Sequence, residues 1–76
     1  MIFNKGDRVL CVKENDIPRF IGTVWTVINV NEDNGLVYCQ NKKQFKNKYE
    51  DNDLFPFRKT EIVLVTPLIE ELLWVI

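Results

Sequence analysis

The side chains able to do chemistry in this 76-residue chain are few in kind. It contains no histidine and no serine, so Ser-His-Asp and Cys-His nucleophilic sites are excluded, as is any histidine-ligated metal. Carboxylates, lysine, tyrosine, threonine and cysteine remain for acid–base or nucleophilic work. Glu14 with Asp16, or Asp7 with either, offers two carboxylates that could divide acid and base roles, but spacing in sequence does not fix the geometry such a pair needs. Glu50, Asp51 and Asp53 crowd oxygen ligands suited to a hard cation, yet the run lacks the glycine and the distal glutamate of a calcium loop. Cys11 and Cys39 fall in apolar β-type runs, where a thiol behaves as a small buried hydrophobe rather than as a nucleophile. The expectation is a non-enzyme without cofactor, metal or catalytic residue.

Binding chemistry is better represented. Lys42, Lys43, Lys46 and Lys48, interleaved with Phe45 and Tyr49, have the composition of a local phosphate-binding strip with stacking platforms. Glu50, Asp51 and Asp53 follow at once and balance those charges, which is the pattern of a solvated loop. Ten basic side chains against eleven acidic ones leave a net charge of −1, so no overall field draws the chain to nucleic acid or to an anionic membrane. Arg19 and Phe20 sit together in a second loop, and Arg58 follows Phe57, as cation–aromatic pairs that a partner surface could use. Trp74 lies between polar neighbours on a helical projection and is a candidate anchor for a protein partner. Trp25, inside a strand-like run, reads as core.

The elements that must position these residues are mainly β. Asn4 to Asp7 is a turn signal ahead of a strand over 8–13, with apolar residues on both faces. Residues 14–21 form a loop, and Gly22 opens a longer strand over 23–30, again apolar on both faces. Asn34-Gly35 closes a hairpin into a strand over 36–40. Residues 41–53 read as a long polar loop with room for a short strand around Phe45. Leu54 to Phe57 returns the chain to the body, Pro56 being unsuited to a central strand, and 60–65 is a last strand. Thr66-Pro67 has the chemistry of a helix start, and Leu68, Ile69, Leu72, Leu73, Val75 and Ile76 form one stripe, predicting a short C-terminal helix over about 67–75. So short a helix must dock on something. Strands wanting cover on both faces fit a closed barrel better than an open sheet.

Gly6-Asp7-Arg8-Val9 opening the first strand, Gly22-Thr23-Val24 after a long loop, the Asn34-Gly35 hairpin and the connection from Leu54 to Phe57 into Ile62-Val63-Leu64-Val65 together resemble the small SH3-like barrels, including KOW-type domains. The likeness covers about residues 4–65. It implies one small barrel of about five antiparallel strands and a binding role, since barrels of this shape serve proteins, RNA and DNA alike.

The functional expectation is a non-catalytic protein-interaction module using Arg19, Phe20 and Trp74. Its composition, rich in Asn, Lys and Ile as A/T-rich genomes encode, suggests a phage accessory protein that modulates or inhibits a host factor. The alternative is a KOW-like RNA or DNA binder using Lys42, Lys43, Phe45, Lys46, Lys48 and Tyr49. Leu72 to Ile76 could also bury itself in a homodimer. No apolar run approaches the ~20 residues that span a bilayer, and two cysteines without a signal peptide suit a reducing cytoplasm.

Overall fold

A computed structural model describes residues 2–14, 16–47 and 53–66. Five antiparallel strands make one sheet: β1 Arg8–Cys11, β2 Val24–Asn31, β3 Leu36–Gln40, β4 Phe55–Arg58 and β5 Ile62–Leu64, in the order β4-β3-β2-β1-β5. The first four strands are a meander, and β5 returns to pair with β1. Among the described residues no ladder joins β4 to β5, so they are the two edges of the sheet. The C-terminal helix expected over 67–75 lies outside the described residues.

One face of the sheet forms the core. Val9, Cys11, Trp25, Val27, Val37, Cys39, Phe57 and Ile62 are buried there, joined by Phe3 from the N-terminal segment and Phe20 from the loop after β1. The long strand β2 explains how its apolar residues share a face. Val27 pairs with Cys39 but Asn29 pairs with Tyr38, so Ile28 is an extra residue in a bulge. The shift turns Val30 inward opposite Val37, although its separation from Val27 is odd. Trp25, Val27 and Val30 thereby serve the core, while Val24 lies on the opposite face of β2.

Strand boundaries differ modestly from expectation. β1 and β5 are shorter, and β2 is displaced by one residue toward the C-terminus. The segment 54–57, read as a connection, contributes an edge strand, and Pro56 is tolerated there because an edge residue can lack a ladder donor. No strand forms around Phe45. Residues 42–44 make a turn in which the N–H groups of Gln44 and Phe45 donate to Asn41 O. Gly22 (φ 87°) takes the left-handed conformation where the loop after β1 re-enters the sheet, and its N–H donates to Cys11 O at 2.8 Å.

Candidate partner-binding surface

The loop from Val12 to Thr23 is the first element of the site, and its conformation is dictated by one ring. Pro18–Phe20 forms a single 3-10 turn, with Phe20 N–H donating to Ile17 O and Ile21 N–H to Pro18 O, both at 3.0 Å. Pro18 suits the first position of such a turn, where an N–H would have no partner. Phe20 is 1% exposed. Its ring centroid lies 4.9 Å from Trp25 of β2, 4.6 Å from Phe45, and 5.1 and 5.9 Å from Phe55 and Phe57 of β4. The loop leaving β1 therefore crosses the inner face to reach the opposite edge of the sheet. The Thr23 hydroxyl donates to Phe20 O and accepts the Trp25 indole N–H at 2.6 Å, fixing the loop's return.

The expectation that Phe20 presents itself to a partner is corrected by this burial: the ring is the hub of the aromatic core. Phe45 is half-buried, one of its ring faces lying parallel to Trp25 at 5.2 Å with an interplanar angle of 8°. Arg19 remains exposed, its guanidinium 5.6 Å from the Phe45 ring and 5.9 Å from Phe20. The arginine loop and the lysine loop, two separate candidates in sequence, thus meet at one aromatic cluster. Lys48, Tyr49 and Trp74 lie outside the described residues.

Among the described residues, two clefts carry charges of opposite sign. The first, of about 220 Å³, is lined by Glu14, Asp16, Leu36, Pro56, Arg58 and Glu61. Three carboxylates face one guanidinium there, over a leucine and a proline. Glu14 and Glu61 are each 9% exposed, and both carboxylates are fixed by backbone donors: Glu14 Oε1 accepts from Asp16 N–H at 3.0 Å, and Glu61 Oε1 from Arg58 N–H at 2.6 Å. Glu61 also places β5 against β1, its carbonyl accepting from Val12 and Lys13 N–H. Of the carboxylate pairs conceivable in sequence, Glu14 and Asp16 do share a cleft. Asp7 is spent elsewhere, accepting from Asn4 N–H at 2.8 Å in the turn before β1.

The second cleft, of about 340 Å³, is lined by Arg8, Lys42 and Lys43 with Val24, Thr26, Gln40 and Asn41. Arg8, Thr26 and Gln40 are consecutive register partners across β1, β2 and β3, and so project from the face opposite the core. Asn41 holds the lysine turn to the sheet: its side-chain amide donates to Val24 O at 3.1 Å and to Gln44 Oε1 at 2.7 Å. Lys46 is exposed but does not line this cleft.

The cysteines are unsuited to thiolate chemistry. Both are free and buried. Burial, with Cys11 nearby as a lesser cause, pushes the Cys39 thiol up to about 12, and burial also raises Cys11. Among the described residues no group of three or more His, Cys, Asp and Glu is placed to hold a metal ion, and no helix is long and apolar enough to cross a membrane.

Sequence reasoning missed Arg8, Arg58, Glu61, Leu36 and Pro56 as parts of shared clefts. For the strand residues the signal is register: Leu36 pairs with Arg58, Pro56 with Tyr38, and Arg8 with Thr26. Comparison with known proteins places the chain beside none of them: no family model, no curated protein and no solved structure matches it.

Proposed function

We propose that the chain is an SH3-like barrel acting as a non-catalytic protein-interaction module, and that its partner offers a basic side chain to the cleft of Glu14, Asp16 and Glu61. The observation that carries this reading is the pre-set geometry of the carboxylates. Backbone N–H groups already orient Glu14 and Glu61, so little ordering remains to be done when a cation arrives, and ordering costs are what most weaken binding by polar surfaces. Leu36 and Pro56 supply an apolar floor for the aliphatic stem of a lysine or arginine. Arg19, held over aromatic rings at the outer end of the same loop, adds a second contact. The order β4-β3-β2-β1-β5, a meander whose last strand returns to the first, supports the barrel reading.

From the A/T-type composition we further propose a phage accessory protein that modulates or inhibits a host protein in the cytoplasm. The test is selection from a random peptide library on the immobilised chain, repeated with Glu14→Gln/Asp16→Asn. Arginine- or lysine-bearing peptides are enriched by the parent chain and lost with the variant; enrichment of acidic peptides, or equal recovery by both chains, refutes the assignment.

A second reading, KOW-like binding of RNA or DNA, is favoured by one observation: Arg8, Lys42 and Lys43 line a single cleft. Cations gathered in this way contact phosphates and release counterions. Affinity for a single-stranded oligonucleotide that falls steeply with salt, and falls again with Lys42→Gln/Lys43→Gln, selects this reading over the first.

A further inference from the structure

The acidic cleft holds two carboxylates that are buried before any partner arrives. Glu14 and Glu61 are each 9% exposed, and each commits only Oε1, to the N–H groups of Asp16 and Arg58 respectively. Among the described residues, the second oxygen of each accepts no hydrogen bond and neither carboxylate is in an ion pair, although the Arg58 guanidinium lines the same cleft. A buried anion without a matching cation keeps the cost of its lost hydration. Three carboxylates against one guanidinium leave the cleft negative, with charge to spare for one more cation.

Resting on the reading of this cleft as a site for a basic side chain, we propose that the side chain is an arginine, selected over lysine, with Glu14 Oε2 and Glu61 Oε2 accepting from its guanidinium. Acceptor placement is the first argument. The two carboxylates come from different elements, the loop after β1 and the turn between β4 and β5, and each is held by a backbone donor. A guanidinium carries five N–H donors in a rigid planar fork and reaches two fixed acceptors at once, whereas an ammonium is a compact point charge on a flexible stem. Hydration is the second. The guanidinium is the more weakly hydrated of the two cations, so it loses less on entering a cleft whose carboxylates are already nine-tenths buried. The lining is the third. Leu36 and Pro56 offer apolar surface to the stem and to the face of the planar group, while exposed Asp16 adds a carboxylate that attracts the cation.

The experiment titrates the full, nitrogen-labelled chain with three probes: N-acetyl-arginine methylamide, its lysine equivalent, and the arginine probe with one methyl group on each terminal guanidinium nitrogen. The backbone N–H groups of Asp16 and Arg58 donate to the two carboxylates, so their signals report a cation's arrival. The arginine probe should shift both saturably while the signals of Lys42 and Lys43 stay in place. Half-saturation by lysine should need about tenfold more probe, and the methylated arginine, which keeps its charge but loses two-point hydrogen bonding, should be weakened likewise. Glu14→Gln should abolish the arginine response, with unmoved signals from Val27 and Val37 showing that the core is intact. Lysine or methylated arginine binding as tightly as arginine overturns the selection for a guanidinium and leaves the cleft a general cation site. No saturable response to any probe overturns both this inference and the reading beneath it.

Discussion

The two clefts differ in how their charges are held. In the acidic one, Glu14 and Glu61 are almost wholly buried and each is fixed by a backbone N–H. In the basic one, Lys42 and Lys43 are exposed side chains on a turn, and it is the turn's backbone, through Asn41, that is tied to the sheet. Fixed charges discriminate between partners because a wrongly placed group leaves them desolvated and unpaired. Exposed, flexible charges attract any polyanion and do so in proportion to how little salt is present. The first cleft thus holds its carboxylates in set positions, whereas the second carries its cations on exposed side chains.

Phe20 connects the loops that carry the two sets of charges, and its removal should have the largest effect. Phe20→Ala empties the hub that joins the loop of Glu14 and Asp16 to Phe45 and the lysine turn. It should cost about 3–5 kcal/mol in urea unfolding, the usual range for a buried phenylalanine, and a loss under 1 kcal/mol would mean that the loop is not anchored by this ring.

The core beneath both clefts can be addressed by pH. Burial raises the folded pKa of Cys39 from 9.0 to about 12, so the native state keeps a proton that the unfolded chain has lost. Stability from this thiol is therefore complete below about pH 9 and declines as pH rises toward 12, by on the order of 1.4 kcal/mol per pH unit. Comparing the alkaline slope of unfolding for the parent and for Cys39→Ala checks the sign: the variant should lose stability less steeply over that window.

Glu61→Ala sharpens the contrast between the clefts. It removes the acceptor for Arg58 N–H in the turn between β4 and β5 and should lower stability by about 1–3 kcal/mol, the cost of an unsatisfied donor. Smallest of all, Lys42→Gln/Lys43→Gln should change stability by less than about 0.5 kcal/mol, as exposed substitutions do. Equal losses from the two changes would erase the distinction between fixed and loose charges.

Much of the strand pattern was legible in the sequence, and the reasons are local. Asn34-Gly35 announced its hairpin, Gly35 taking the positive φ (71°) that tight reversals need, and β3 lies where alternation placed it. The bulge in β2 was not legible, because an odd spacing between Val27 and Val30 looks the same as a strand buried on both faces. Phe20 was read as a loop residue available to partners because charges and Pro18 surround it; only its long-range contacts with β4 reveal it as core. The acidic cleft was hidden for the same reason. Glu14, Leu36 and Glu61 are brought together by the curl of the sheet, which no short-range pattern records. Lys42 and Lys43 were visible as a charged run, but their neighbour Arg8 emerged only from register.

The most direct test of the central claim is affinity capture from a bacterial lysate, with and without nuclease, using the parent chain, Glu14→Gln/Asp16→Asn and Lys42→Gln/Lys43→Gln, read by mass spectrometry. The account predicts one protein recovered in near-equal amount with and without nuclease, lost with the carboxylate variant and retained by the lysine variant. Recovery of many nucleic-acid-associated proteins that vanish with nuclease and with the lysine variant, while the carboxylate variant binds as the parent does, would contradict it.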